Sequence, residues 1–157
     1  MSKAKDIVHL DDLAPGMRFK AGPIVLTEDA IIAFATEYDP QSFHTDPEAA
    51  AASFFKGHAA SGWQTAAVTM RMLVESSALF ASGSVGMGVE LSWPRPVRPG
   101  DALSIEVEIL DIRPSSKPGR AVATLKTTTT NQDGEIVQVM TSTNILFGSR
   151  YAVDDGA

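Results

Sequence analysis

The second half of the chain alternates between apolar and polar residues, which is the period of a β-strand with one buried face. The alternation is clearest at Val85–Trp93 and at Leu103–Ile109. Two further runs, 121–130 and 135–147, flank the sequence Asn-Gln-Asp-Gly at 131–134, where glycine supplies the positive φ of a hairpin turn. We therefore predict three or four strands that pair in an antiparallel sheet.

The run that begins at Ser61 predicts a long helix. Ser61 and Gln64 have the Ser-x-x-Gln spacing of a capping box, in which each side chain satisfies a backbone N–H at the helix start. From Trp63 to about Glu75 the helix is apolar on nearly every side, so we expect the rest of the fold to wrap around it. The predicted apolar face consists of Trp63, Ala66, Ala67, Met70, Leu73 and Val74.

Shorter elements precede this helix. An apolar stretch at 24–26 predicts an edge strand, and Thr27 is placed to cap a helix that extends to about residue 37. Asp46 as cap and Pro47 at the first helical position then predict another helix, extending to about residue 54. The predicted architecture is α+β, with an antiparallel sheet around one long central helix and a short helical overhang.

Two side chains suited to acid–base chemistry lie between the short helices. Asp39 and His44 are separated by a loop that contains Pro40. A carboxylate can polarise a water or fix the tautomer of an imidazole, and an imidazole exchanges protons near neutral pH. The plainer interpretation is that Asp39 caps a turn and His44 is an ordinary surface or core residue. Spacing alone leaves both interpretations open.

The start of the central helix favours the catalytic interpretation. A helix N-terminus presents backbone N–H groups without partners and the positive end of the helix dipole, both of which attract negative charge. Gly62 at this position would offer its N–H to a developing anion. Alternatively, Gly62 is only the small residue that allows the helix to pack closely.

Composition limits the possible functions. The 157 residues suit a single domain over 1–157, with its core at about 11–147. The absence of cysteine excludes disulfides and thiolate sites, and the three histidines show no metal-ligand spacing, so neither a metal nor a cofactor is expected. The net charge of −6 argues against a nucleic acid partner. Because no signal-peptide or membrane-spanning segment is evident, we expect a cytoplasmic protein.

Three short motifs follow one another along the chain. They are Tyr-Asp-Pro-Gln-Ser-Phe-His-Thr-Asp-Pro at 38–47, Ala-Ser-Gly-Trp at 60–63, and Arg-Pro-Val-Arg-Pro-Gly-Asp at 95–101. Together they resemble the MaoC-like hydratase family of the hotdog fold, over about residues 11–147. The chain departs from the family pattern at Ser42, where proline is frequent, and at Ser61, where histidine is frequent.

This resemblance implies hydration of a trans-2-enoyl-CoA to an (R)-3-hydroxyacyl-CoA, or the reverse dehydration. Asp39 and His44 would activate the water, and the Gly62 N–H would stabilise the charge that builds on the thioester oxygen. A homodimer or higher homo-oligomer, with two sheets joined edge to edge, is also implied. The expected substrate-binding residues are Phe43, Ser61, Trp63 and Arg98, with Lys56, Arg95, Lys117 and Arg120 as further candidates for contact with the coenzyme.

Two other functions stay open. Hotdog proteins include acyl-CoA thioesterases, in which a carboxylate near the central helix drives hydrolysis, and Glu75 or Asp46 would be that carboxylate here. The other is a non-catalytic subunit that binds an acyl thioester or pairs with a partner chain. Two remaining conspicuous residues are assigned structural places: Trp93 in the core and His58 in a loop without a chemical role.

Overall fold

The computed structural model describes residues 10–76 and 83–148. The helices, after a 3-10 turn at Leu10–Asp12, are α1 (Glu28–Tyr38), α2 (Ser42–Thr45), α3 (Pro47–Ala51) and α4 (Gly62–Ser76). The strands are β1 (Arg18–Val25), β2 (Ser84–Ser92), β3 (Ala102–Pro114), β4 (Arg120–Thr130) and β5 (Ile136–Phe147). These strands form one sheet in the order β1-β3-β4-β5-β2, and every neighbouring pair is antiparallel. The predicted α+β architecture is confirmed.

The predicted hairpin joins β4 to β5. Gly134 has a φ of +75°, and the Asn131 N–H donates to the Glu135 carbonyl at 3.0 Å. The Asn131 side-chain oxygen also accepts from the Asp133 and Glu135 N–H groups, so the turn is closed by side-chain as well as backbone bonds. Strand pairing on both sides of the turn then places β4 at the centre of the sheet.

The caps of the short helices are confirmed, while several boundaries differ from the prediction. Thr27 accepts from the Ala30 N–H, and Asp46 accepts from two N–H groups of α3. The edge strand begins at Arg18, because its pairing with β3 starts well before the apolar stretch at 24–26. Helix α3 ends at Ala51, shorter than predicted. Among the described residues, no helix has the length and apolar character needed to cross a membrane.

Helix α4 packs on the sheet through one face, so the prediction that the fold wraps it on nearly every side was wrong for the single chain. The buried residues of the helix include Thr65, Thr69, Met72 and Leu73, whereas Trp63 is 60% exposed and Met70 is also exposed. A single sheet can cover only one side of a helix, so the opposite side of α4 faces outward. The apolar face of β2 is likewise uncovered, and Met87 is 62% exposed.

The interior between α4 and the sheet is divided into two regions. One region is apolar and includes Met72, Leu73 and Leu125. The other is a chain of buried polar contacts centred on Thr69, midway along α4. The Gln138 amide donates to Thr69 Oγ1 at 3.1 Å, and Thr69 Oγ1 lies 2.8 Å from Thr129 Oγ1. Because these groups are inaccessible to water, each depends on the others for a hydrogen bond.

Trp93 was predicted to lie in the core, and the structure corrects this. Its indole is 40% exposed, just beyond the end of β2. The indole N–H donates to the Gln138 side-chain oxygen at 2.9 Å, which extends the buried polar chain to the surface. An indole usually places its N–H on a partner, and here that partner lies at the edge of the core.

Replacing Thr69 with valine tests the polar chain. The change keeps the β-branched shape but leaves the Gln138 amide and the Thr129 hydroxyl without their partner. We expect the free energy of unfolding in urea to fall by about 1 to 3 kcal/mol. The control is Thr128→Val, at a half-buried position on the opposite face of β4 from Thr129. It should change the free energy of unfolding by less than about 0.5 kcal/mol. Equal effects of the two substitutions would contradict a structural role for the chain of contacts.

Candidate active site

Asp39 lies immediately after α1 and accepts two side-chain hydrogen bonds. Its Oδ1 accepts from the Gln41 amide at 2.7 Å, and its Oδ2 accepts from the Ser61 hydroxyl at 2.7 Å. Partial burial raises the pKa of the carboxyl, but the bonds from Ser61 and Gln41 and the nearby His44 outweigh burial and lower the pKa below its ordinary value. Asp39 is therefore ionised at neutral pH.

His44 is buried and held in one tautomer. The stretch predicted as a loop contains the short helix α2, and this helix carries His44. The His44 Nδ1 lies 2.7 Å from the Ala59 carbonyl oxygen, which can only accept, so Nδ1 carries a hydrogen. The other ring nitrogen, Nε2, lies 3.3 Å from Asp39 Oδ2. When the imidazole is neutral, this gap separates two acceptors, so it suits a hydrogen-bond donor such as water.

The start of α4 differs from the predicted capping box. Ser61 directs its hydroxyl hydrogen at Asp39, because a carboxylate is a stronger acceptor than neutral groups. The hydroxyl oxygen accepts from the Trp63 N–H at 3.3 Å instead of from Gln64. Gln64 does not reach back either, and its amide donates to the Ala30 carbonyl at 3.0 Å. The Ser61 side chain thus links the helix start to Asp39.

The Gly62 N–H has no acceptor among the described residues, as expected for the first residue of a helix. It lies at the positive end of the α4 dipole, and Gly62 lines the same cleft as Asp39 and His44. The packing interpretation of Gly62 also has support, since an added Cβ would lie 2.6 Å from the indole of Trp93. The close contact with Trp93 requires glycine here, whereas any residue except proline would offer the N–H.

A cleft of about 700 Å³ brings these groups together. Asp39, His44, Gly62, Trp63 and Arg98, all predicted from sequence, line it. Residues that the sequence analysis did not place here are Phe54, Phe55, Thr65, Trp93 and Val137. They come from the loop after α3, from α4 and from two strand ends, so the fold assembles them from separate parts of the chain.

Two predicted substrate-binding residues do not line the cleft. The Phe43 ring packs edge-on against the His44 and Phe55 rings, with centroid distances of 4.6 Å and 5.1 Å. It therefore supports the imidazole by direct packing. Ser61 is fully buried and contacts Asp39. Both side chains therefore act on the site through their neighbours.

Arg98 binds the loop between α3 and α4. Its guanidinium donates to the Phe55 carbonyl at 2.7 Å and to the His58 carbonyl at 3.1 Å. His58 is itself buried, and its Nε2 lies 2.6 Å from the His44 carbonyl oxygen, to which it donates. His58 lies in a loop, as predicted, and its side chain also supports the backbone of His44, which the sequence analysis did not foresee. Contact of Arg98 with the coenzyme stays a prediction.

Of the remaining candidates, Arg95 lines the cleft, and its contact with the coenzyme stays a prediction. Lys56 and the other candidates are not among the lining residues. Asp46 caps α3, and Glu75 pairs with Arg71 at 2.8 Å, so neither carboxylate reaches Gly62. Lys117 and Arg120 lie at the β3–β4 connection, where the Arg120 guanidinium stacks over the ring of Phe147 at 5.4 Å. Within residues 10–76 and 83–148, no three His, Asp or Glu side chains converge as metal ligands would.

Comparisons with known proteins place these residues in a wider group. Residues 12–132 match the family model described as MaoC like domain, a range that includes Asp39, His44 and Gly62. A protein of Bacillus subtilis (strain 168), described as the uncharacterized protein YdeM, is 36% identical over 110 residues, which are 68% of this chain and 77% of that protein.

Solved structures show the same similarity. The MaoC-like dehydratase from Rhodospirillum rubrum is 51% identical and has a TM-score of 0.85, covering 90% of this chain and 97% of that chain. The (R)-hydratase from A. caviae involved in PHA biosynthesis is 27% identical, with a TM-score of 0.68, covering 84% of this chain and 96% of that chain. The similarity thus extends over most of the sheet and helices.

Replacing Ser61 with alanine removes a hydrogen bond that lowers the pKa of Asp39, so we expect that pKa to rise. A carboxyl with a depressed pKa stabilises the fold above its unfolded pKa and loses this contribution as the pH falls through its folded pKa. In Ser61→Ala this contribution should therefore be smaller, because the folded pKa moves toward the unfolded pKa, and its loss should be complete at a higher pH. Urea unfolding at several acidic pH values, with ¹³C NMR titration of the Asp39 carboxyl, measures both effects.

The control for this measurement is Ser104→Ala, at a half-buried position on β3 outside the cleft. Its unfolding curves and the titration of Asp39 should coincide with those of the wild type. An Asp39 titration unchanged in Ser61→Ala would show that the hydroxyl does not stabilise the carboxylate.

Proposed function

This chain belongs to the family of MaoC-like domains and has its hotdog fold, and on that basis we propose that it is a hydro-lyase acting on enoyl thioesters. The reaction is addition of water to a trans-2-enoyl-CoA to give an (R)-3-hydroxyacyl-CoA, or the reverse dehydration. The observation that carries the proposal is the 3.3 Å separation of His44 Nε2 from Asp39 Oδ2 in a cleft beside the open Gly62 N–H.

The acid–base step uses the two acceptors of this pair. A water that donates to Asp39 Oδ2 and to the bare His44 Nε2 is oriented by both groups. As its oxygen forms a bond to C3 of the enoyl group, one of its protons passes to the pair. The pair then delivers a proton to C2 on the same face, which completes the addition of one water. Assistance of this kind contributes about 10² to 10⁴-fold to a rate.

The start of α4 would stabilise the negative charge that builds on the thioester oxygen. Attack at C3 moves electron density onto the thioester oxygen, and the Gly62 N–H with the helix dipole behind it is the donor that this oxygen would approach. Removal of one such donor in other enzymes costs about 2.7 to 4 kcal/mol. The acid–base pair and this donor lie on the same cleft, as the reaction requires.

The competing hydrolysis has less support. A thioesterase needs a carboxylate that activates water next to the thioester carbonyl. The two other candidates, Asp46 and Glu75, are occupied by a helix cap and by Arg71. Asp39 is paired with His44, an arrangement suited to moving a proton between C3-bound water and C2.

We further propose that two copies associate through α4 and β2. The outward side of α4 contributes Trp63 and Met70, and β2 contributes Met87 and Val89, all of them exposed. These residues border one apolar depression between the helix and the strand. Because β2 is also an edge of the sheet, its free backbone groups can pair with the same strand of a second copy. One continuous sheet would then span the dimer.

Asp39→Asn and His44→Ala should each lower kcat by at least about 10²-fold, because each removes one acceptor of the pair. The measurement follows loss of the conjugated enoyl absorbance with a panel of enoyl-CoAs, while a thiol reagent monitors release of free coenzyme A. Circular dichroism verifies that both variants fold. Asp29→Asn, an exposed carboxyl in the first turn of α1, serves as the control and should retain wild-type activity.

The two readouts separate the possible reactions. Loss of absorbance without thiol, abolished in both variants, supports the hydratase. Thiol release by the wild type would assign a thioesterase instead, and near-normal activity of either variant would contradict the proposed mechanism.

Val89→Asp tests the association. Burying a carboxylate against an apolar partner surface is costly, so we expect the variant to sediment with half the mass of the wild type. Leu110→Asp is the matched control, since Leu110 is also exposed but lies on β3, away from the depression. Wild-type protein that sediments as a monomer at micromolar concentration would contradict the dimer.

A further inference from the structure

The indole of Trp93 lies next to Gly62, whose N–H would donate to the thioester oxygen. Its six-membered ring lies across the start of α4, so close that a Cβ on Gly62 would be only 2.6 Å away. The Trp63 ring meets it edge-on, with centroids 5.4 Å apart and planes at 77°. Trp93 therefore borders the place where the acyl group would begin.

Buried polar residues hold this indole in one orientation. Its N–H donates to the Gln138 side-chain oxygen at 2.9 Å, and the Gln138 nitrogen donates to Thr69 Oγ1 at 3.1 Å. Gln138 is fully buried, so both ends of its amide are committed to the interior. A rotation of the indole would leave the amide oxygen unpaired away from water, which is costly. The Trp93 indole, which we call the wall of the cleft, is therefore held more rigidly than a side chain with only apolar contacts.

The cleft has an open side and a closed side. Phe54 is 91% exposed and Arg95 is exposed, so the coenzyme part of a substrate would leave past these residues. Thr65 and Val137 are almost completely buried and lie on the inner side. Trp93, which is 40% exposed, borders this side through its N–H, which bonds the buried Gln138. An acyl chain that extends beyond C3 toward the inner side meets the indole. Behind the indole lie Gln138, Thr69 and Thr129, which offer hydrogen-bonding groups instead of an apolar tunnel.

We infer that Trp93, held in place by Gln138, limits the length of the acyl group, so that the site accepts short enoyl chains and rejects long ones. This inference rests on the proposed function for its substrate class. It concerns the ratio of kcat/KM between short and long substrates. Loss of Asp39 or His44 would lower both kcat/KM values and would not reverse that preference. Each added methylene that a pocket cannot accommodate typically costs about 10-fold or more in kcat/KM.

The test compares crotonyl-CoA with trans-2-octenoyl-CoA as substrates of the wild type and three variants. Wild-type kcat/KM should favour crotonyl-CoA by at least about 10-fold. Trp93→Ala should raise the octenoyl-to-crotonyl ratio of kcat/KM by at least about 10-fold, because it opens the wall. Gln138→Met, which keeps the length of the side chain but cannot hold the indole, should raise the ratio less. Trp93→Phe, which keeps an aromatic wall without the hydrogen bond, should fall between wild type and Trp93→Ala.

The ratio distinguishes selectivity from damage to the fold. A smaller fraction of folded enzyme lowers both kcat/KM values equally and leaves the ratio unchanged. If Trp93→Ala does not fold, the ratio for Trp93→Phe decides the matter. Wild type that prefers octenoyl-CoA, or a ratio unmoved by the folded Trp93 variants, would overturn the inference.

Failure of the proposed function gives a different result. Wild type that hydrates neither substrate contradicts the hydratase, and the wall is then tested by calorimetric binding of butyryl-CoA and octanoyl-CoA. Trp93→Ala should improve the affinity for octanoyl-CoA relative to butyryl-CoA by at least about 10-fold. Equal effects on the two ligands, or binding of neither, would overturn the inference.

Discussion

The contact between α4 and the inner face of the sheet positions Gly62 and Ser61, and through Ser61 it positions Asp39. Because α4 lies across the strands with Thr69 and Leu73 inward, its first residue, Gly62, is held beside Trp93 and close to Asp39. The hydroxyl of Ser61, one residue earlier, reaches Asp39 and lowers the pKa of that carboxyl against the opposing effect of burial. A shift of the helix along the sheet would break all of these contacts at once.

The imidazole is held mainly by backbone carbonyl groups. Ala59 accepts from His44 Nδ1, and His44 in turn accepts from His58 through its own carbonyl. Arg98 holds the same loop by two more carbonyls, and the Asp101 side chain accepts from the Arg98 N–H at 2.8 Å. Because Nδ1 makes the backbone hydrogen bond, Nε2 of His44 is left to face Asp39 and the cleft. The Pro-rich segment after β2 thus helps to hold the loop that contacts His44 in the candidate site.

The two sides of α4 serve different purposes. The inner side carries threonines whose hydroxyls join Gln138 and Thr129, which makes the core below the site polar and stiff. The outer side carries Trp63 and Met70 and remains exposed in the single chain. A helix that is apolar outside and partly polar inside is unusual for a monomer, and it agrees with a surface that a second copy would cover.

The sequence by itself determined the strands, the Asn-Gln-Asp-Gly hairpin and the helix caps at Thr27 and Asp46, because alternation, turn chemistry and capping act between residues close in the chain. The motif around Asp39 and His44 was also recognisable, since both residues lie within one short segment. The inward face of α4 was not, because its apolar pattern could not reveal which side the sheet would cover.

Only the tertiary structure decided the partners that are distant in sequence. Trp93 and Gln138 are 45 positions apart, and Arg98 and Phe55 are 43 apart. Such contacts depend on strand register and on the angle at which α4 crosses the sheet, and a one-residue slip in register would turn Gln138 to the opposite face. The same reason explains why Ser61 bonds Asp39 instead of completing a local cap: the carboxylate reaches it only after the chain has folded.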